Sequence, residues 1–112
     1  MDMVTIKRFD VCLVNLDPTI GSEIKKTRPS VVISPDSMNL SRLNTIIIAP
    51  LTSTIRESFP TRVKTSFKEK NGQVALDQLR SIDRSRVVKK LGKLDATTAN
   101  DILNILALLF GK

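Results

Sequence analysis

Short apolar runs rich in β-branched residues follow one another along this chain, and polar turn signals separate them. The only convincing helical pattern begins near residue 95. This arrangement predicts a mainly β fold, a small and strongly curved antiparallel sheet or barrel with one C-terminal helix. A length of 112 residues predicts a single domain, 1–112. Strands are expected at 10–16, 31–33, 45–49, 61–65, 73–79 and 87–91.

Turn-forming residues and polar stretches between these runs set the expected ends of the strands. Pro50 is expected to end the third strand. The strongest hairpin signal is the Asn-Gly pair within Lys70–Gly72, which predicts a turn there. Two polar stretches without periodicity, 17–28 and 51–60, are expected to be long loops. If both lie at one end of the barrel, they form the natural place for a functional site.

The C-terminal segment carries an apolar set that is wider than one core-facing stripe. Asp95 or Thr97 can cap the helix. Because its own sheet covers only one side, we expect a second subunit to cover another, and therefore a homodimer. The alternative is a helix sunk in a groove of a twisted barrel. The apolar set is Ile102, Leu103, Ile105, Leu106, Leu108, Leu109 and Phe110.

The chain is basic, and its positive charge is concentrated in one segment. It has 18 Lys and Arg against 11 Asp and Glu, a net charge of +7. Residues 62–93 hold ten of the basic and three of the acidic residues, which accounts for the whole excess. Such a segment is typical of a protein that binds a polyanion, with nucleic acid favoured. An acidic protein partner, or a face that is merely solvated, would fit the same charge.

The absent residue types exclude several classes of function. Without His there is no Ser-His-Asp triad and no His-ligated metal, and a lone cysteine, Cys12, builds neither a disulfide framework nor a zinc cluster. We therefore expect no metal site and no cofactor. The longest apolar run is too short to span a membrane, and the N-terminus lacks the features of a signal peptide. We expect a cytoplasmic protein without a membrane association.

A basic protein without His can still bind or cut RNA. Metal-free cleavage uses the 2′-hydroxyl as nucleophile, so the protein must accept a proton, stabilise a charged phosphorane and protonate the leaving 5′-oxygen. Glu23 is a candidate base, and Arg28 can clamp phosphate oxygens. Thr52 or Ser53 can donate a hydrogen bond to a phosphate oxygen. Cys12 alternates with strand residues and is expected to be a small core residue.

Four stretches of the sequence resemble motifs of the MazF/PemK family of toxins from bacterial toxin–antitoxin systems. In order and spacing they extend through nearly the whole chain. They are Asp10–Thr19, containing Asp-Pro-Thr; Gly21–Glu23 followed by Thr27–Ser34, containing Arg-Pro; Ala49–Ser53, containing Pro-Leu-Thr; and Ala75–Asp83, containing Asp-Gln and Ser-Ile-Asp.

The resemblance implies a CcdB/MazF-like, SH3-like barrel with a C-terminal helix that works as a homodimer. It implies a sequence-selective endoribonuclease that acts on single-stranded RNA and is held inactive by a cognate antitoxin. The family's catalytic arginine and threonine match Arg28 and Thr52, and its glutamate matches Glu23. Some members have a His where this chain has Ser22. RNA contacts are expected from Lys25, Lys26, Ser53, Asp77, Gln78 and Arg80.

The predicted reaction is metal-independent and leaves a 2′,3′-cyclic phosphate and a 5′-hydroxyl. Two alternatives are open. A toxin of the same fold could poison DNA gyrase without chemistry, a class that relies on an aromatic-Gly C-terminal end faintly similar to Phe110-Gly111. A barrel without catalytic activity could bind RNA and leave it uncut, with a steep salt dependence.

Overall fold

The computed structural model describes residues 5–111 of the chain. Residues 1–4, part of the segment behind the expectation of no signal peptide, and Lys112 lie outside the described residues. Seven strands and two helices follow in chain order. They are β1 (Asp10–Asn15), β2 (Thr27–Val32), α1 (Asp36–Asn39), β3 (Thr45–Thr52), β4 (Arg62–Phe67), β5 (Lys70–Ala75), β6 (Arg80–Asp83), β7 (Val87–Lys93) and α2 (Ala96–Phe110).

All strand pairs are antiparallel, and the sheet order is β4-β5-β3-β2-β1-β7, with β6 also paired to β3. Strand β3 joins two parts of this sheet. Its first half, from Thr45 to Ile48, pairs with β6, whereas Leu51 and Thr52 pair with β5. The sheet curls because one strand changes partner along its length. The prediction of a mainly β fold with a curved antiparallel sheet and a C-terminal helix is confirmed.

The central strands are buried on both faces, which explains their continuous apolar sequences. Neighbouring residues of one strand enter different core clusters: Val31 packs with the residues under helix α2, and Val32 packs on the opposite face. Strand β1 divides Val11 and Cys12 in the same way. The expectation that 31–33 is buried on both faces is confirmed, and Cys12 is fully buried in the core.

The expected end of the third strand at Pro50 was wrong. Strand β3 continues through Pro50 to Thr52. Pro50 pairs with Ser30 on the β2 side, and on the opposite side it lies between Ile48, the last partner of β6, and Leu51, the first partner of β5. A residue without a backbone N–H is tolerated there because one strand partner ends and another begins.

The expected turn at Lys70–Gly72 was also wrong. These residues belong to β5, and the two-residue turn is Lys68-Glu69, where both φ angles are positive, as a type I′ hairpin requires. Gly72 has a different function. A Cβ at Gly72 would lie 2.7 Å from the backbone oxygen of Thr52, so the glycine permits β5 to approach the end of β3. The close approach of two backbones explains this glycine better than a turn does.

The strand expected at 73–79 divides into two elements. Strand β5 ends at Ala75, and a 3-10 turn at Leu76–Gln78 redirects the chain into β6. Asp77 and Gln78 therefore lie on a bend between two strands, where their side chains reach the neighbouring loops. The apolar strand pattern survives across this bend because Leu76 remains buried in the core.

Helix α2 begins after Asp95, whose carboxylate accepts a hydrogen bond from the Thr98 N–H at 3.0 Å. Hydrogen bonding to Thr98 lowers the pKa of Asp95, as expected for an N-cap carboxylate. The helix buries Thr98 and Ile102 but leaves Leu108 79% and Phe110 75% exposed. It therefore packs across the sheet rather than sinking into a groove. Among the described residues, no helix is long and apolar enough to cross a membrane.

Candidate functional site

Arg28 and Thr52 line the same pocket, of about 370 Å³. Strands β2 and β3 pair through Ser30 and Pro50, and continuing this register by two residues places Arg28 opposite Thr52 on the same face of the sheet. The sequence prediction assigned both residues to loops, 17–28 and 51–60, and this was wrong. Both belong to strands, so rigid backbone rather than loop conformation sets their separation.

Hydrogen bonds within the chain orient both side chains. The Arg28 Nε–H donates to the backbone oxygen of Lys25 at 2.7 Å, which directs the fork of the guanidinium. The Thr52 hydroxyl accepts from the Thr54 N–H at 3.1 Å. Since that contact uses a lone pair of the hydroxyl oxygen, the hydroxyl proton stays available for another acceptor. Each residue therefore keeps donors for a ligand.

The pocket contains further residues that sequence reasoning did not assign to a site. Its apolar part includes Pro29, Leu51, Phe67 and Leu91, and its polar part includes Lys68, Lys70 and Asn71 beside the predicted Ser53. The two lysines were recognised only as members of the basic segment. Because the β4–β5 hairpin brings them beside Arg28, the pocket combines an apolar wall with three cationic side chains. We call it the Arg28 pocket.

A second pocket, of about 310 Å³, contains most of the remaining predicted site residues. Glu23, Asp77, Gln78 and Arg80 line it together with Ser22, Ile24, Pro50 and Leu79. We call it the Gln78 pocket. The structure thus separates Glu23 from the arginine and threonine with which the prediction grouped it. The Glu23 carboxylate instead accepts a hydrogen bond from the Ile20 N–H at 2.5 Å, within its own exposed turn.

The polar side chains of the Gln78 pocket bind other parts of the chain. The Gln78 amide accepts from the Ile24 N–H at 2.5 Å and donates to the Ser22 backbone oxygen at 3.2 Å. Arg80 donates to the backbone oxygen of Leu16 at 2.9 Å. These contacts hold both ends of the segment between β1 and β2, and so position the residues that lead into Arg28.

Asp77 forms a two-point ion pair with Arg62, with N···O distances of 2.7 and 3.2 Å, and accepts from the Thr61 hydroxyl. Burial raises the pKa of Asp77, but hydrogen bonds from Arg62 and Thr61 outweigh it and hold that pKa below its ordinary value. Arg62 also lies over the Phe59 ring, 5.2 Å from its centroid. Asp77 therefore fixes the start of β4 and the residue that precedes it.

Of the remaining predicted contacts, Ser53 lines the Arg28 pocket, and Lys25 and Lys26 lie in the segment that leads into Arg28. Lys25 and Lys26 are exposed in the segment before β2, and Ser53 is exposed just after β3. Lys26 has a positive φ of 72°, and its N–H donates to the Asp17 carboxylate at 3.0 Å. This backbone contact leaves the ammonium group of Lys26 in solvent.

No group of three His, Cys, Asp or Glu side chains suited to a metal ion occurs within residues 5–111. Burial, reinforced by the nearby Asp10 carboxylate, raises the pKa of the Cys12 thiol to about 11. The thiol is therefore protonated at neutral pH and is not a nucleophile.

The description "PemK-like, MazF-like toxin of type II toxin-antitoxin system" belongs to a family model that matches residues 7–110. The chain belongs to this family. It is 33% identical to Endoribonuclease MazF of Staphylococcus epidermidis, over 95% of this chain and 92% of that protein. MazF of Deinococcus radiodurans has a similar structure, with a TM-score of 0.83 and 26% identity over 98% of this chain and 100% of that one. A MazE-MazF structure from the same organism gives a TM-score of 0.76 and 26% identity, over 97% and 98% of the two chains.

In this PemK/MazF-like chain, the family motifs divide between two neighbouring pockets. The Arg-Pro and Pro-Leu-Thr motifs supply Arg28 and Thr52 to the first, and the Asp-Gln motif supplies Asp77 and Gln78 to the second. The residues that the motifs did not indicate, including Phe67, all lie on the β4–β5 hairpin or on β7. Only their position in the folded sheet reveals them.

Proposed function

We propose that this toxin is a metal-independent, sequence-selective endoribonuclease that cuts single-stranded RNA. The observation that carries the proposal is the shared pocket in which Arg28 and Thr52 project from two neighbouring strands. A guanidinium and a hydroxyl on one rigid face suit the binding of a single phosphodiester. The similarity to Endoribonuclease MazF, over nearly the whole chain, supports the same reaction class.

In the proposed reaction, the ribose 2′-oxygen forms a bond to phosphorus and the bond from phosphorus to the 5′-oxygen breaks. The terminal nitrogens of Arg28 stabilise the extra negative charge of the phosphorane, and its guanidinium or a bound water supplies the proton to the 5′-oxygen. The Thr52 hydroxyl donates to a phosphate oxygen and orients it. The products are a 2′,3′-cyclic phosphate and a 5′-hydroxyl.

Glu23 is the proposed base that takes the 2′-hydroxyl proton. Its carboxylate is bound to the Ile20 N–H and lines the Gln78 pocket, so this role requires the turn at 20–23 to release it when RNA binds. Lys25, Lys26 and Ser53 are proposed to contact RNA at the rim. Because Asp77, Gln78 and Arg80 already bind the chain itself, we propose that the first two support the site and that Arg80 meets RNA only at its free nitrogens.

The proposed partners follow from the family and from the exposed helix. We propose a homodimer in which a second copy covers the apolar residues of α2, since side chains such as Leu108 and Phe110 are otherwise exposed to water. A cognate antitoxin with an acidic or amphipathic segment is proposed to neutralise the toxin, in line with the family description and the basic segment. The proposed location is the cytoplasm, where mRNA is found.

The decisive experiment compares the wild type with Arg28→Ala on a long single-stranded RNA in EDTA, with cut sites and end groups mapped. Removing the charge that stabilises the phosphorane is expected to reduce cleavage by about 10²–10³-fold. Arg42→Ala removes an exposed arginine outside both pockets and is expected to cut normally. Size-exclusion chromatography and thermal unfolding check that each variant keeps its fold and assembly.

The same assay separates the alternatives. Undiminished cutting by Arg28→Ala would refute the assigned site, and binding of RNA without any cut would identify a non-catalytic RNA-binding barrel. Inhibition of gyrase supercoiling with no RNA cleavage would indicate the gyrase-poisoning class. Loss of cutting in EDTA, restored by Mg²⁺, would refute the metal-independent reaction.

A further inference from the structure

We propose that Phe67 determines specificity by stacking on the nucleobase next to the scissile phosphate, an inference that rests on the proposed ribonuclease function. The chain has four phenylalanines and no Trp or Tyr. Phe67 is the aromatic residue that lines the Arg28 pocket. Phe9 packs on the core, and Phe110 is the last residue of α2 and lines a different pocket. Phe59 is 43% exposed and lies under Arg62, outside the pocket.

The hairpin holds the Phe67 ring in a defined position. Phe67 pairs with Lys70 immediately before the tight turn at Lys68-Glu69. The ring is half-buried, and its side facing the protein packs against the core cluster under α2. A Cβ at Gly92 would lie 3.1 Å from Cζ of the ring, so the glycine on β7 lets the ring settle against that strand. A ring anchored in this way loses little freedom when a base stacks on it.

The surroundings of the ring suit one nucleoside. The pocket volume of about 370 Å³ lies at the lower end of the range for small-molecule pockets, roughly 300–1,000 Å³. Leu91 and Pro29 line the pocket together with the ring and make an apolar wall, and Arg28 and Thr52 line the same small pocket. A phosphate held by Arg28 therefore brings the attached nucleoside against the apolar wall.

Neighbouring polar groups can read the edge of the stacked base. Within residues 5–111, the side chains of Ser53 and Asn71 have no hydrogen-bonding partner, and both border the same pocket. An amide presents a donor and an acceptor side by side, the pattern that recognises a base edge. Lys68 and Lys70 are exposed at the rim, where they can pair with flanking phosphates. Stacking holds the base, and Asn71 discriminates among bases.

The test is a double-mutant cycle that needs no cleavage. RNA oligonucleotides with a single 2′-deoxy nucleotide at the cut site, which removes the attacking hydroxyl, are prepared with an abasic site at each position in turn. Binding is measured by fluorescence anisotropy for the wild type, Phe67→Leu, Phe67→Tyr and Phe59→Leu. The Phe59 variant is the matched control, because it removes an aromatic ring from the segment just before β4, outside the pocket.

At one position beside the cut, removing the base is expected to weaken wild-type binding by about 10-fold. The same removal is expected to have little effect in Phe67→Leu and the full effect in Phe59→Leu and Phe67→Tyr. On cleavable RNA, Phe67→Leu should raise KM by about 10-fold and leave kcat within a few-fold. Asn71→Ala should broaden the set of cut sequences.

An equal penalty for base removal in Phe67→Leu and the wild type would overturn the proposal, as would an equal loss of coupling in Phe59→Leu. Thermal unfolding monitors the fold of each variant, and if Phe67→Leu unfolds, the ring is displaced instead with Gly92→Ala, which must reduce the coupling. If the wild type cuts no RNA, the ribonuclease function fails, and oligonucleotides with abasic sites at every position still show whether Phe67 receives a base.

Discussion

The two pockets beside the end of β3 are similar in size, but the polar side chains of one are hydrogen-bonded within the chain and those of the other keep free donors. In the Gln78 pocket, Glu23, Asp77, Gln78 and Arg80 each bind another part of the chain. In the Arg28 pocket, the side chains of the arginine and the threonine make one hydrogen bond each and keep donors free. The Gln78 pocket therefore fixes the positions of the loops, and the Arg28 pocket has free groups that can bind a ligand.

This difference shows why a residue that lies close to another in the sequence need not share its site or its role in the reaction. Glu23 lies five residues before Arg28 in the chain, yet the two side chains line different pockets. A group whose hydrogen bonds are already satisfied must give them up before it meets a substrate, whereas a group with free donors does not. The division of labour between the pockets can be tested residue by residue.

After Arg28→Ala, the largest effect is expected from Glu23→Gln, which tests whether a residue crosses from one pocket to the other during catalysis. Loss of the base should reduce kcat by about 100-fold, while the amide oxygen still accepts from the Ile20 N–H. Glu57→Gln, which neutralises an exposed glutamate paired with Lys64, should cut normally. Single-turnover cleavage measures both. Activity within threefold of the wild type would leave Glu23 as a loop residue and make the separation of the pockets complete.

Thr52→Val tests the ligand-binding character of the Arg28 pocket. Valine keeps the shape and removes the hydroxyl, so kcat should fall by about 10- to 100-fold, the value of one hydrogen bond to a charged group. The lost contact to the Thr54 N–H should also lower the free energy of unfolding by about 1 kcal/mol. Thr45→Val, at the opposite end of β3, is the control. Equal kcat in the two variants would exclude the hydroxyl from the reaction.

A smaller effect is expected from Gln78→Ala in the Gln78 pocket. Loss of its contacts to Ile24 and Ser22 should reduce cleavage by about 10-fold, because the segment before Arg28 is less well positioned. Hydrogen exchange should become faster at the amides of 20–26 and stay unchanged in β4 and β5. Reduced cleavage with unchanged exchange would contradict the supporting role and indicate direct contact with RNA.

The smallest effect concerns stability and its pH dependence. Asp77→Asn breaks the ion pair with Arg62. Because the Asp77 side chain is 31% exposed, the free energy of unfolding at pH 7 should fall by no more than about 1 kcal/mol. Since the pKa of Asp77 is lowered by folding, its stabilisation is present above the unfolded pKa and is lost as the pH falls through the folded value. Denaturation curves of wild type and variant should therefore converge below about pH 4. A constant difference at all pH values would contradict the ionic contribution.

Much of the fold and part of the site were predictable from local patterns. Continuous apolar runs such as Val31–Ile33 indicated strands buried on both faces, and Asp95 with the apolar run after it indicated the single long helix. Arg28 and Thr52 carried the family motifs. The turn at Lys68-Glu69 was not predictable in this way, because Asn71-Gly72 is the stronger local signal and its glycine instead serves the contact with Thr52.

The sequence by itself determined the class of fold, the basic character of residues 62–93 and the exclusion of His-based chemistry. Composition and periodicity are properties of the chain that do not depend on contacts between distant residues. The tertiary structure decided which polar side chains are free. That choice depends on hydrogen bonds between residues far apart in sequence, such as Gln78 with Ile24 and Arg80 with Leu16. It also placed Phe67 beside Arg28, since β5 pairs with the end of β3 and the curling of the sheet brings β7 to the same pocket.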